Sequence, residues 1–251
     1  MTYQHFAFWQ NQRRLISLVV GAVFLLTIFP AFAAKFKPAN PKPARGYSSA
    51  GGKRECGSKS GIPPTQLAPQ TFIGKTASTR PMLTWYMSSS EPVRFRLFEF
   101  DSANSSQQIG QVKEIPTTVG INKLKLPLDY PELTVGKTYF WQIAIDIKCS
   151  KDDRIKTIIK RAEFTVINPQ SLAPKLFTSI SESVNYYAEN ELWYEALEKA
   201  LEATDNGELG RIGKTLVKDL AQSEGLAGRD LGMKDIPQRV EDLQKIASES
   251  R

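Results

Sequence analysis

The chain has 251 residues, with 33 Lys and Arg against 26 Asp and Glu for a formal net charge of +7, one histidine and two cysteines. A single imidazole, His5, excludes a histidine-rich metal centre, and two thiolates without histidine partners leave a zinc shell incomplete.

Residues 1–33 read as a secretory signal peptide. Arg13 and Arg14 precede the apolar run Leu15 to Phe29, and Ala31-Phe32-Ala33 puts small residues where a signal peptidase needs them. That run is shorter than the roughly 20 residues of a spanning helix, and Pro30 ends it before the cleavage position. Cleavage near Ala34 is expected, which removes His5 and with it Ser-His-Asp and Cys-His catalysis. The competing reading is a retained membrane anchor. After cleavage no membrane span is expected.

Residues 34–65 form a cationic Pro/Gly-rich arm. Residues 34–80 carry nine basic side chains against Glu55 alone, whereas residues 171–251 carry ten against fifteen acidic ones. Lys37-Pro38 and Pro41-Lys42-Pro43 favour an extended path suited to a spacer. The charge would attract an anionic wall or surface polymer, a lipid headgroup or an envelope protein at short range; the alternative is a soluble linker. Nucleic acid is not an expected partner, because no aromatic residues alternate with the basic ones as a stacking platform. Cys56 ends the arm and Cys149 ends a later alternating segment. In an exported chain the two most simply form one disulfide, closing a loop worth on the order of 4 to 5 kcal/mol in chain entropy.

Residues 66–170 have the period of strands. Tyr139, Trp141, Ile143, Ile145, Ile147 and Cys149 fall on one face, with Gln142, Asp146 and Lys148 on the other. Ser150 to Arg154 is a polar turn, and Ile158, Ala162, Phe164 and Val166 line a partner strand, giving a hairpin. Upstream, Gln70 to Ile73, Met82 to Met87, Val93 to Phe100, Ile109 to Ile115 and Ile121 to Leu128 are further strands. The expected fold class is α+β: a seven-stranded antiparallel β-sandwich followed by a C-terminal helical subdomain. Pro81, Trp85, Leu133, Gly136, Tyr139 and Trp141 resemble positions in fibronectin type III domains, which places the aromatic residues in the core.

Residues 171–251 change to the helical period. Leu176, Ile180, Val184 and Tyr187 form one stripe, and Leu192, Ala196 and Ala200 beside Trp193, Leu197 and Leu201 form another. Leu209, Ile212, Leu216 and Leu220 continue a third helix, and Pro237 opens a last one carrying Val240, Leu243 and Ile246. Tyr187 to Leu201 resembles half of a tetratricopeptide repeat, but no second copy follows at the required period.

A family resemblance covers about residues 45 to 232. Arg45-Gly46, Gly51-Gly52-Lys53-Arg54, Cys56, Leu67-Ala68-Pro69, Gly74-Lys75-Thr76, Pro81, Trp85-Tyr86, Gly120-Ile121, Leu126-Pro127, Gly136-Lys137-Thr138-Tyr139, Trp141 and Cys149 resemble the exported, mainly cyanobacterial family known as domain of unknown function 928. Tyr187-Ala188-Glu189-Asn190 and Leu192-Trp193-Tyr194-Glu195-Ala196-Leu197 carry it into the helices. The chain departs from that pattern at Ile212-Gly213, where the family has a tryptophan. The resemblance implies an extracytoplasmic location and supplies no catalytic residues.

Three catalytic look-alikes remain. Gly207, Gly210 and Gly213-Lys214-Thr215 resemble a phosphate loop, but the required glycine position holds Glu208. Asp152-Asp153 lacks the spaced oxygen ligands that calcium takes, so a solvated turn is expected. Glu99, Asp101 and Asp146 are the carboxylates open to glycan hydrolysis, which requires two of them to face across a cleft. No cofactor, metal site or catalytic residue is expected. The function expected is that of an exported, non-catalytic interaction module of the periplasm or cell surface. The alternatives are a carboxylate-dependent cell-wall glycan hydrolase and an accessory domain of a membrane sensor.

Overall fold

The computed structural model describes residues 36, 38, 40–42, 61–102, 105–148, 155–205 and 207–249. Every described residue lies in the compact unit Ala34–Arg251. His5, Cys56, Cys149, the expected disulfide and Asp152-Asp153 lie outside the described residues.

Eight strands occur among the described residues: β1 (Thr65–Gln66), β2 (Gly74–Thr76), β3 (Met82–Met87), β4 (Val93–Phe100), β5 (Ser106–Ile115), β6 (Gly120–Lys125), β7 (Thr138–Lys148) and β8 (Ile155–Val166). They make two open sheets, one in the order β1-β3-β6 and one in the order β2-β8-β7-β4-β5. The alternating segments pair as their period requires. β7 and β8 run antiparallel from Thr138 opposite Thr165 to Lys148 opposite Ile155, and β7 also pairs antiparallel with β4.

Two expectations are corrected. Gln70 to Ile73 is not a strand but the bend between β1 and β2, two strands too short to show a period. Nor is the array wholly antiparallel with seven strands, because β2 lies parallel to β8, Gly74 opposite Phe164. Strand β7 is also covered on its second face. Phe140 stacks on Phe98 at 4.5 Å and lies beneath the Arg161 guanidinium, while Gln142 accepts a hydrogen bond from Arg161 Nε at 3.0 Å.

The sheets meet through large side chains. Trp85 of β3 and Trp141 of β7 approach to 6.3 Å between ring centroids, and Gln66 Nε2 donates to the Trp141 carbonyl. Tyr139, Trp141, Ile143 and Ile145 are buried as their alternation predicts.

Four helices follow a short 3-10 turn at Pro169–Ser171: α1 (Ile180–Glu189), α2 (Trp193–Ala200), α3 (Gly210–Asp230) and α4 (Ile236–Glu249). Helix α1 starts later than the apolar stripe predicts, and Leu176 is 94% exposed outside it. The reason is local. Ser179 caps the helix by accepting from the Glu182 amide, and Glu182 turns back onto Thr178, so the chain before Ser179 stays extended. Pro237 stands at the second position of α4, where its missing amide costs no helical bond.

Apolar residues of both sheets and all four helices form one continuous core. A buried ion pair ties α3 and α4 to the chain after β1. Arg239 Nε meets Glu224 at 2.5 Å and its other nitrogens donate to the carbonyls of Gln66 and Ala68, while Glu224 accepts from the Gln70 amide.

Candidate functional site

Several residues of the family resemblance, Leu67, Gly74, Thr76, Trp141 and Trp193 to Glu195, meet at one junction between sheet and helix. Trp193 at the start of α2 donates through Nε1 to the Leu67 carbonyl at 2.8 Å. Tyr194 accepts from Trp141 Nε1 at 3.2 Å, and its ring faces Gly74 so closely that a Cβ there would stand 2.9 Å from it. Glu195 Oε1 accepts from Thr76 Oγ1 and from the amides of Ala77 and Ser78 at 2.6 to 3.0 Å. Its Oε2 is buried without a hydrogen-bond partner. Burial outweighs these donors and raises the Glu195 carboxyl above the ordinary glutamate range, and it raises the Tyr194 phenol as well. These groups are packed into a weld between β2 and α2.

The phosphate-loop look-alike is structural too. Lys214 and Thr215 lie inside α3 rather than in a loop, Gly207 bridges to Ile121 of β6, and Gly213 packs against Leu201 and Leu209.

Of the candidate carboxylates, Glu99 and Asp146 are not brought together. Glu99 stands opposite Tyr139 and pairs with Lys137. Asp146 lies seven residues further along β7, roughly 23 Å away in an extended strand. Arg94 grips it with both guanidinium nitrogens and Thr157 donates to it at 2.6 Å. The Arg94 contact, then Thr157, holds the Asp146 carboxyl below the ordinary aspartate range. Asp101 sits in the exposed bend after β4, two residues from Glu99 and near the same Lys137. Two carboxylates acting on one glycosidic bond stand about 5 to 9.5 Å apart, which Glu99 and Asp146 do not.

An open cleft of about 470 Å³ lies beyond the end of β8, between the 3-10 turn and α1. Three half-buried rings form its wall: Phe177 and Tyr186 at 5.3 Å, Phe177 and Tyr187 at 5.6 Å, and Tyr186 and Tyr187 at 5.5 Å, with planes inclined by 52° to 74°. Pro169 and Pro174 stiffen the rim, and Gln170 and Lys175 add an amide and an ammonium. The wall is held in place. The Tyr186 hydroxyl donates to the Ala173 carbonyl at 2.6 Å, and Lys175 stands 5.7 Å from the Tyr186 ring centre and 3.2 Å from Glu182. Hydrogen bonds from the Thr178 amide and hydroxyl, with Lys175 beside them, pull the Glu182 carboxyl down to about 2. The wall thus offers ring faces and hydrogen-bonding groups to the cleft.

The sequence places Tyr187 on the inward stripe of a helix and singles out neither Phe177 nor Tyr186. The available signal is Ser179 followed three residues later by Glu182, which starts the helix after Phe177 and leaves that ring on the approach to it.

The chain matches the family described as Domain of Unknown Function (DUF928) over residues 49–229. It belongs to that family. No curated protein matches it.

Proposed function

We propose that this chain is an exported, non-catalytic interaction module of the cell envelope, built on a fibronectin type III-like sandwich and contacting a partner protein through the cleft at Phe177, Tyr186 and Tyr187. The observation that carries the reading is the aromatic wall, held by its own hydrogen bonds and open to solvent beside the exposed Leu176. Tyrosines that pair a large apolar face with a fixed polar tip concentrate binding energy at protein interfaces. The tilt of the rings leaves notches for side chains instead of the single flat face on which a sugar ring stacks. The separation of Glu99 from Asp146 weighs against the wall hydrolase.

Crosslinking of a tagged full chain in the native envelope tests this, with Tyr187→Ala as the comparison. The wild type is expected to retain one or two proteins that the variant loses by about tenfold or more, since a central interface tyrosine is worth about 2 kcal/mol. Equal recovery by both forms would remove the cleft from the function. Release of soluble glycan fragments from purified envelope would restore the hydrolase.

A further inference from the structure

Arg96, Gln142 and Arg161 form one row across the five-stranded sheet, on the face opposite Trp141. Arg96 of β4 stands opposite Gln142 of β7, and Gln142 stands opposite Arg161 of β8, so the three side chains share that face. Two interstrand spacings, about 10 Å, separate the arginine backbones. Side chains of that length can meet over the glutamine between them.

Arg161 is exposed yet held in place. Its Nε donates to Gln142 at 3.0 Å, and its guanidinium lies 5.5 Å over the Phe140 ring, which itself stacks at 4.5 Å on Phe98. Among the described residues no hydrogen bond engages its two terminal nitrogens. Arg96 is half-buried and makes neither a hydrogen bond nor an ion pair among the described residues, although its Nε is buried. A guanidinium has five donors and keeps its charge, and a buried donor without an acceptor calls for a partner. The carboxylates of the same face do not serve it. Asp146 is held by Arg94 and Thr157, Glu114 stands opposite Arg94, and Glu163 is buried opposite Phe140. On its other side β5 bulges: Phe95 faces Lys113 and Leu97 faces Ile109, which leaves Gly110, Gln111 and Val112 beside Arg96.

We propose that Arg96 and Arg161 form an oxyanion site that takes a carboxylate or phosphate group between their guanidiniums, over Gln142. Planar guanidinium forks match the paired oxygens of either group, and a fork already fixed by Gln142 and Phe140 loses little freedom on binding. The site shares no residue with the aromatic cleft and stands independently of the interaction reading.

The test titrates the full chain with trigalacturonate and, separately, with inorganic phosphate, at one low salt concentration. Arg96→Gln and Arg161→Gln are each expected to weaken binding at least about tenfold, because each removes charge-assisted hydrogen bonds. Arg96→Lys keeps the charge without the fork and is expected to fall between Arg96→Gln and the wild type. Lys245→Gln, the same change of charge on α4, is expected to weaken it less than about twofold. A bound anion is expected to raise the urea midpoint of the wild type and not that of Arg96→Gln. Arg161→Gln carries the test if Arg96→Gln does not fold. Binding of trigalacturonate alone would support the site with polymer carboxylates as its source, and binding of phosphate would support it with the free ion. Binding of neither, unchanged affinity in the Gln variants, or an equal loss in Lys245→Gln would overturn the proposal.

Discussion

Glu195 is the one charged side chain in an otherwise apolar run from Leu192 to Leu197, and its surroundings give it a structural task. It receives three donors from the chain after β2 on one oxygen and leaves the other buried without a partner. Its carboxyl is raised by burial, so the folded state favours the protonated form. The contribution is complete below the ordinary glutamate range and is lost as pH rises through the elevated value. Glu195→Gln keeps an acceptor for the three donors and removes the charge. The variant is expected to match the wild type at pH 4 and to exceed it at pH 8, as measured by urea midpoints across that range. An unchanged pH slope would show that another group carries it. Sequence reasoning could not have found this role, because a glutamate on a helix looks the same whether it faces water or the end of a strand.

At the scale of elements, long periodic segments were legible and short ones were not. The β7 and β8 hairpin follows from alternation over ten or more residues. β1 and β2, with two and three residues, carry no period, and nothing in alternation distinguishes the parallel pairing of β2 from an antiparallel one. Helical stripes located α1 to α4 but not what covers them, so Tyr187 reads as core although it borders an open cleft. The contact between Glu224 and Arg239 was equally invisible, since each looks like a surface charge in sequence. Both are buried, and Arg239 also satisfies two carbonyls of another element. Arg239→Ala leaves the Glu224 charge buried without its counter-ion, on the Gln70 amide alone, and is expected to cost about 3 to 5 kcal/mol in urea unfolding. The double variant Glu224→Gln/Arg239→Met is expected to recover part of that loss. A double variant worse than the sum of its single changes would contradict the pairing.

For the whole molecule, the resemblance to the family was readable because its motifs are numerous and ordered, although their role was not. Leu67, Gly74, Thr76, Trp141 and the signature of α2 lie far apart in the chain and meet at one weld. That gives these motifs a structural role, and the surface proposed to meet a partner is the aromatic cleft. The most direct measurement is site-specific photocrosslinking in the native envelope, with the reactive group at Leu176 beside the cleft or at Ile155. Ile155 is also exposed, and it begins β8 while the cleft lies past its end, a separation of roughly 35 Å or more along an extended strand. The account predicts a discrete partner crosslinked from Leu176 and suppressed by Tyr187→Ala, with none from Ile155. The same products from both positions, or products from Leu176 that Tyr187→Ala leaves unchanged, would contradict it.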